Sequence, residues 1–484
     1  MTPELVFTII ALYFILLIVI GRLTSRHANT QVFFTANRQS PWFVVAFGMI
    51  GASLSGITFI SVPGEVGNSN FEYLQMVFGY LAGYVVIATI LMPLYYRLNL
   101  VTIYGYLLGR FGFWSYKTGA FFFLLSRTVG SAFRLFLVAG VLQIAIFRAW
   151  GVPFWVTVLI TILLIWVYTY KGGIKTIVWT DTLQTLFMLV AVVVSIIIIL
   201  QSMEMGIIDI PGVIAESKYA NVFEWDWKAE RNFFKQFLAG AFITIVMTGL
   251  DQDMMQKNLT CRNIRDAQKN MFWFSIILVL ANVLFLTLGA LLYLYSENHG
   301  VGIPGRTDDL FPLLALNHFS VTVGVLFILG IVAAAYSSAD SALTALTTSF
   351  CVDFLNFDDR MEEKQKHDTR VKVHIGFSIL IFGVIMLFSM INDDSVITSL
   401  FKAAGYTYGP LLGLFSFGML TKKAIKDQWA PWVCFISPVI SYLINLNSEA
   451  WLGGYRFGFE ILILNGLLTF LGLWAISRSP IQSS

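Results

Sequence analysis

The segment from Gly330 to Phe354, GIVAAAYSSADSALTALTTSFCVDF, concentrates more coordinating chemistry than any other part of the chain. It is otherwise apolar and long enough to cross a bilayer. Yet Ser337, Ser338, Asp340, Ser341 and Thr344 crowd its middle. A carboxylate at membrane depth is expensive and marks an ion or substrate path. Ser337, Asp340, Ser341 and Thr344 are spaced i, i+3, i+4, i+7 and so share one helix face. Hard oxygen ligands around one carboxylate suit a small hard cation, which points to a transporter that uses an ion.

A second feature is Arg134, with Arg127 seven residues before it on roughly the same helix face. Arg134 lies about 16 residues, or roughly 24 Å, into an apolar span that begins near Lys117. That depth is near the midplane, where a guanidinium needs an anionic partner. Its planar fork suits bidentate capture of a carboxylate. The partner is either a bound solute or one of the aspartates Asp340, Asp181 and Asp251. Arg127, nearer one end, is expected to be structural.

The composition explains what must hold these residues. Of 484 residues, 57% are hydrophobic, 15% aromatic and only 12% charged, against roughly 25% charged in a soluble domain. The chain is an all-α polytopic membrane protein. Its net charge of +3 is too small to suggest nucleic acid. No A-x-A-like site follows the first apolar stretch, which is expected to be a retained helix. Cys261, Cys351 and Cys434 lie far apart and form neither metal spacing nor an expected disulfide. His27, His299, His318, His367 and His374 are expected in loops or at helix ends, so no constellation of a membrane enzyme is in view.

Thirteen segments read as spanning helices: about 4–22, 41–66, 73–97, 117–148, 152–170, 176–200, 232–256, 269–296, 322–353, 370–391, 396–420, 427–446 and 456–477. Basic residues crowd alternate connections: Arg22, Arg26 and Arg38; Arg97, Arg110 and Lys117; Lys171 and Lys175; Lys257, Arg262, Arg265 and Lys269; Arg360 to Lys372; Lys422, Lys423 and Lys426. The opposite connections hold Glu65, Glu72, the stretch Glu216 to Glu230, Asp308, Asp309, Asp393 and Asp394. The positive-inside rule then places the N-terminus outside and the C-terminus in the cytoplasm.

Two of these helices are expected to be broken. The 41–66 segment carries Gly48, Gly51, Gly56 and Pro63-Gly64, with Ser53, Ser55 and Thr58 between them. The 232–256 segment carries Gly240, Thr244, Thr248 and Gly249. Glycine and hydroxyl residues let a membrane helix unwind where it lines a cavity. Interrupted helices at matching places in two halves point to a transporter binding site. The alternative is that these glycines are close-packing positions.

With these features the chain resembles the sodium:solute symporter family, which holds the sodium–glucose, sodium–proline and sialic acid transporters. The motifs are GASLSGITFISVPG at 51, YKGGIKTIVWTDTLQ at 170, GLDQDMMQKNLT at 249 and AAAYSSADSALTALTTSF at 333. The resemblance implies one transmembrane domain over 1–484 with a leucine-transporter-like fold. An extra N-terminal helix at 4–22 would precede inverted five-helix repeats at 41–200 and 232–420. Two C-terminal helices at 427–477 would follow.

It also implies inward symport of sodium ions with a small organic solute across the cell membrane, a monomer being sufficient. By motif, the main sodium site would use carbonyls of Gly51 and Leu54 with Ala334, Ser337 and Ser338. A second sodium, present in some members, would use Asp181, Asp340 and Ser341. Otherwise Asp181 is a cap or ion pair at a helix end, and Asp340 pairs with an arginine. Ser53, Ser55, Thr58 and Arg134 match substrate-side positions of sialic acid transporters, with Gln75 a further candidate contact, making a carboxylate-bearing sugar the expected solute. The alternatives are a neutral sugar, an amino acid or a monocarboxylate. Sugar carriers place a gating tyrosine near Met247, and this chain has none there; Tyr406 and Tyr408 could stack instead. A sodium channel or a substrate sensor is the alternative class.

Overall fold

In a computed structural model, residues 3–24, 30–169, 173–357, 361–391 and 396–478 are described. Arg26, His27, Lys171, Arg360, Asp393 and Asp394, used above, lie outside that set. With no water in a bilayer core, each backbone N–H and C=O must be satisfied within its own segment, and this sequence does so with helices.

Helix α1 (Pro3–Thr24) precedes a bent pair, α2 (Trp42–Ser53) and α3 (Gly56–Ser69). Next come α4 (Tyr73–Arg97), α5 (Phe113–Phe147), α6 (Phe154–Thr169) and α7 (Gly173–Ser202). A second bent pair, α8 (Phe233–Gly249) and α9 (Gln252–Asn258), opens the other half. It leads to α10 (Ile264–His299), α11 (Val321–Phe354) and α12 (Glu363–Ile391). The chain ends with α13 (Val396–Thr407), α14 (Gly409–Leu420), α15 (Ala430–Leu446) and α16 (Ile461–Ala475).

Among the described residues, eight helices are long and apolar enough to span, or ten if each bent pair counts as one crossing. The other expected spans at 152–170, 396–420 and 456–477 are shorter apolar helices; the middle one is interrupted at Tyr408. His374 departs from expectation: it is buried within α12, with Nδ1 2.9 Å from Thr347 Oγ1. The three cysteines are free and buried, and burial pushes the Cys261 thiol up to about 12.

Both expected breaks are present, bent by 55° between α2 and α3 and by 68° between α8 and α9. The first falls at Leu54 (φ −80°, ψ 61°) and Ser55 (φ −64°, ψ 177°). It does not fall at Pro63-Gly64, through which α3 runs on to Ser69. Gly240 serves close packing: a Cβ there would lie 2.1 Å from the Met76 carbonyl oxygen. Gly79 is its counterpart, 2.0 Å from the Phe237 carbonyl oxygen. These glycines let α4 and α8 approach backbone to backbone. Likewise α3 packs on α10, so each bent pair leans on the next helix of the other half. Helix α7 lies against both α2 and α11, which brings the WTD segment to the first break.

Candidate functional site

The ion-side residues converge where α2, α7 and α11 meet. A Cβ on Gly51 would stand 2.2 Å from Thr185 Oγ1 and 3.3 Å from Ser337 Oγ, so the backbone at the break faces both hydroxyls at contact range. Ser337 Oγ donates to Asp181 Oδ1 at 2.7 Å. Ser338 Oγ donates to the Ala334 carbonyl at 2.9 Å, and Ser341 Oγ to the Ser337 carbonyl at 3.1 Å. Both are the back-bonds common for serine in membrane helices. A hydroxyl that donates still offers lone pairs to a cation. Asp340 and Thr344 are fully buried on the same helix.

Thr185 was absent from the sequence reading, although it follows Asp181 by one turn. It donates to the carbonyls of Asp181 (2.8 Å) and Phe47 (3.0 Å). That pinned, β-branched side chain leaves no space beside Gly51. Gly51→Ala is therefore expected to lower the thermal midpoint and weaken sodium binding, at an overpacking cost of about 1–3 kcal/mol. Adding Thr185→Ala should recover much of both. A Gly51→Ala protein that binds sodium like the wild type in a detergent thermal-shift titration would dismiss this contact.

On the solute side, Ser53, Ser55, Thr58 and Arg134 line one cavity of about 100 Å³ with Tyr73, Tyr80 and Tyr84. Arg134 is buried, with Nε and Nη1 lacking any hydrogen-bond partner. Among the described residues it forms no ion pair. Asp251, one proposed partner, accepts from Tyr408 Oη at 2.5 Å, lies 3.9 Å from Arg127 and caps α9 through the Asp253 amide. Arg127, which also borders this cavity, pairs closely with Asp253 and so is held by protein carboxylates. Gln252 is scaffold too, donating to the Val101 carbonyl and accepting from the Ile103 amide.

Gln75 needs correcting as a solute contact. Its Nε2 donates to the carbonyls of Glu72 (3.1 Å) and Arg231 (3.0 Å), while Oε1 accepts from the Glu224 amide at 3.1 Å. Those bonds staple the 217–232 loop to α4 and leave the side chain outside the cavity lining. The tyrosines that do line it were missed, although Tyr73, Tyr80 and Tyr84 have the spacing of one helix stripe.

Tyr73, Ile397 and Phe401 also border a wider cavity of about 490 Å³ lined by Glu65, Arg231, Lys402, Tyr406 and Arg456. Away from both cavities' linings, Phe33 and Phe34 are buried against Cys351. Gln256 Nε2 holds the Phe34 carbonyl at 2.7 Å, and the Arg370 guanidinium sits 4.1 Å from the Phe33 ring centroid. The wider cavity shares Tyr73, Ile397 and Phe401 with the one that Arg134 lines, so its charged residues border an approach toward Arg134.

The profile of the sodium:solute symporter family matches residues 33–429. The chain belongs to that family. It is 25% identical to a sodium/sialic acid symporter of Aliivibrio fischeri, over 82% of this chain and 79% of that protein. It is 24% identical to the human sodium/iodide cotransporter, over 83% and 62%. Among solved structures, a substrate-bound, outward-open sodium-coupled sialic acid symporter superposes with a TM-score of 0.82 at 19% identity, covering 98% of this chain and 99% of that one. A nucleobase-cation-symport transporter closed around bromovinylhydantoin gives 0.58 at 16% identity, over 92% and 94%. The protein is thus a multi-pass membrane transporter of a sodium-coupled symporter family.

Proposed function

We propose that this symporter imports a carboxylate-bearing solute with sodium, a sialic acid being the leading candidate. The observation that carries the reading is Arg134. Its Nε and Nη1 lack protein partners in a cavity shared with Ser53, Ser55 and Thr58. A buried guanidinium without a carboxylate is costly, and a solute carboxylate would supply the missing bonds. A sugar acid needs more room than about 100 Å³, so its body would extend past Tyr73 and Phe401 into the wider cavity. The sialic acid symporters among the relatives support the same reading.

Sodium would bind between the Gly51 and Leu54 carbonyls and Ala334, Ser337 and Ser338, bridging the two halves of the protein. The halves would rock as inverted five-helix repeats, 41–200 against 232–420, about this ion. By the positive-inside rule the Phe33–Phe34 pair would lie toward the cytoplasmic face of the cell membrane, and the wider cavity would then open outward. Replacing Ser337 and Ser338 together with alanine should raise the sodium concentration for half-maximal binding severalfold. Unchanged sodium dependence in a folded double variant would remove both from the ion site.

The small inner cavity supports a second reading, a short monocarboxylate. The discriminating experiment is a sodium-dependent affinity series in purified protein: N-acetylneuraminate, its carboxyl-reduced analogue, pyruvate and galactose. A preference for N-acetylneuraminate over the reduced analogue is expected. Equal affinity for that pair, or tight galactose binding, would defeat the carboxylate reading, whereas pyruvate alone would select the second.

A further inference from the structure

Lys257 is not a loop residue. Its side chain is 1% exposed, and its Nζ donates to Asp181 Oδ2 at 2.7 Å. The other carboxylate oxygen, Oδ1, takes the Ser337 hydroxyl at 2.7 Å. The ammonium therefore stands beside the carboxylate that a second sodium would use, and the other oxygen of that carboxylate is held by Ser337 of the main site.

Its approach is fixed by α9, a seven-residue helix anchored along its length. Asp251 caps its start, accepting from the Asp253 amide at 2.9 Å. Gln256 Nε2 binds the Phe34 carbonyl at 2.7 Å, and Thr260 Oγ1 donates to the Lys257 carbonyl at 2.7 Å. Tyr96 Oη and Asn270 Nδ2 hold Asn258 at its carbonyl (2.9 Å) and Oδ1 (2.6 Å). The lysine stem is thus aimed, rather than wandering in solvent. A lysine head group carries the charge of a sodium ion with three donors, so it satisfies a buried carboxylate directly. A sodium ion added at contact distance from that ammonium would meet like-charge repulsion in a low-dielectric interior.

We propose that Lys257 is a tethered cation standing in for a second sodium at Asp181, so that each cycle carries a single sodium ion. The proposal rests on the main sodium site of the preceding section. It changes the energetics. One sodium with a monoanionic solute moves no net charge, so accumulation draws on the sodium concentration gradient and not on the membrane potential. A second sodium ion would add one net charge per cycle and couple accumulation to the membrane potential.

The test is a count of bound ²²Na⁺ per chain in nanodiscs, which needs no solute. Wild-type protein should bind one ion. Lys257→Gln, which keeps the stem and removes the charge, should bind two, with a Hill coefficient rising above one. The double variant Lys257→Gln with Asp181→Asn should return to one. Two ions in the wild type, or one in Lys257→Gln, would overturn the tethered cation while leaving the main site standing. No bound ion in the wild type would instead remove the main site itself. Should Lys257→Gln fail to fold, the wild-type count alone decides between one ion and two.

Discussion

Arg134→Lys is expected to weaken N-acetylneuraminate binding at least tenfold while leaving sodium binding nearly intact. Lysine keeps the positive charge and loses the fork, so a two-point grip on a carboxylate becomes one-point. A hydrogen bond to a charged group contributes about 1.5–3 kcal/mol, and 1.4 kcal/mol is a factor of about ten in affinity. Thermal stability without solute should hardly change, because Nε and Nη1 have no protein partner to lose. Calorimetry in detergent, with sodium held constant, reads both quantities. An affinity within twofold of wild type would show that the guanidinium does not hold the solute.

Arg127→Leu should do the reverse and is expected to have the largest stability effect of any substitution considered. Arg127 is buried between Asp251 and Asp253, both fully buried. Removing one member of a buried ion cluster strands the others and costs about 3–5 kcal/mol. The thermal midpoint should fall steeply, or monodisperse protein should not be recovered. A variant as stable as wild type but deficient in solute binding would exchange the roles assigned to the two arginines.

The contrast between these arginines marks how far the sequence could be read. The breaks were legible because glycine and hydroxyl residues cluster at Gly51–Thr58 and at Gly240–Gly249, although Gly240 itself serves close packing against α4. The place of the first break was not. Pro63 looks like the stronger interruption, yet α3 absorbs it, while Leu54 and Ser55 take the non-helical angles. The oxygen face of α11 was legible from periodicity alone.

Lys257 was hidden by the same logic that oriented the helices. It sits in a run of basic residues that reads as a cytoplasmic loop, and its partner lies 76 positions earlier on another helix. Gln75 was a candidate solute contact, and only the 217–232 loop, folded back onto α4, explains where its bonds go. Pairings between distant segments are set by tertiary packing, which local periodicity does not encode.

The most direct measurement of the central claim is uptake of radiolabelled N-acetylneuraminate into proteoliposomes holding the purified protein. An inward sodium gradient should drive accumulation above the external concentration, and collapsing it with a sodium ionophore should release the solute. Equal uptake in choline buffer, or accumulation driven only by a proton gradient, would contradict a sodium-coupled carboxylate symporter.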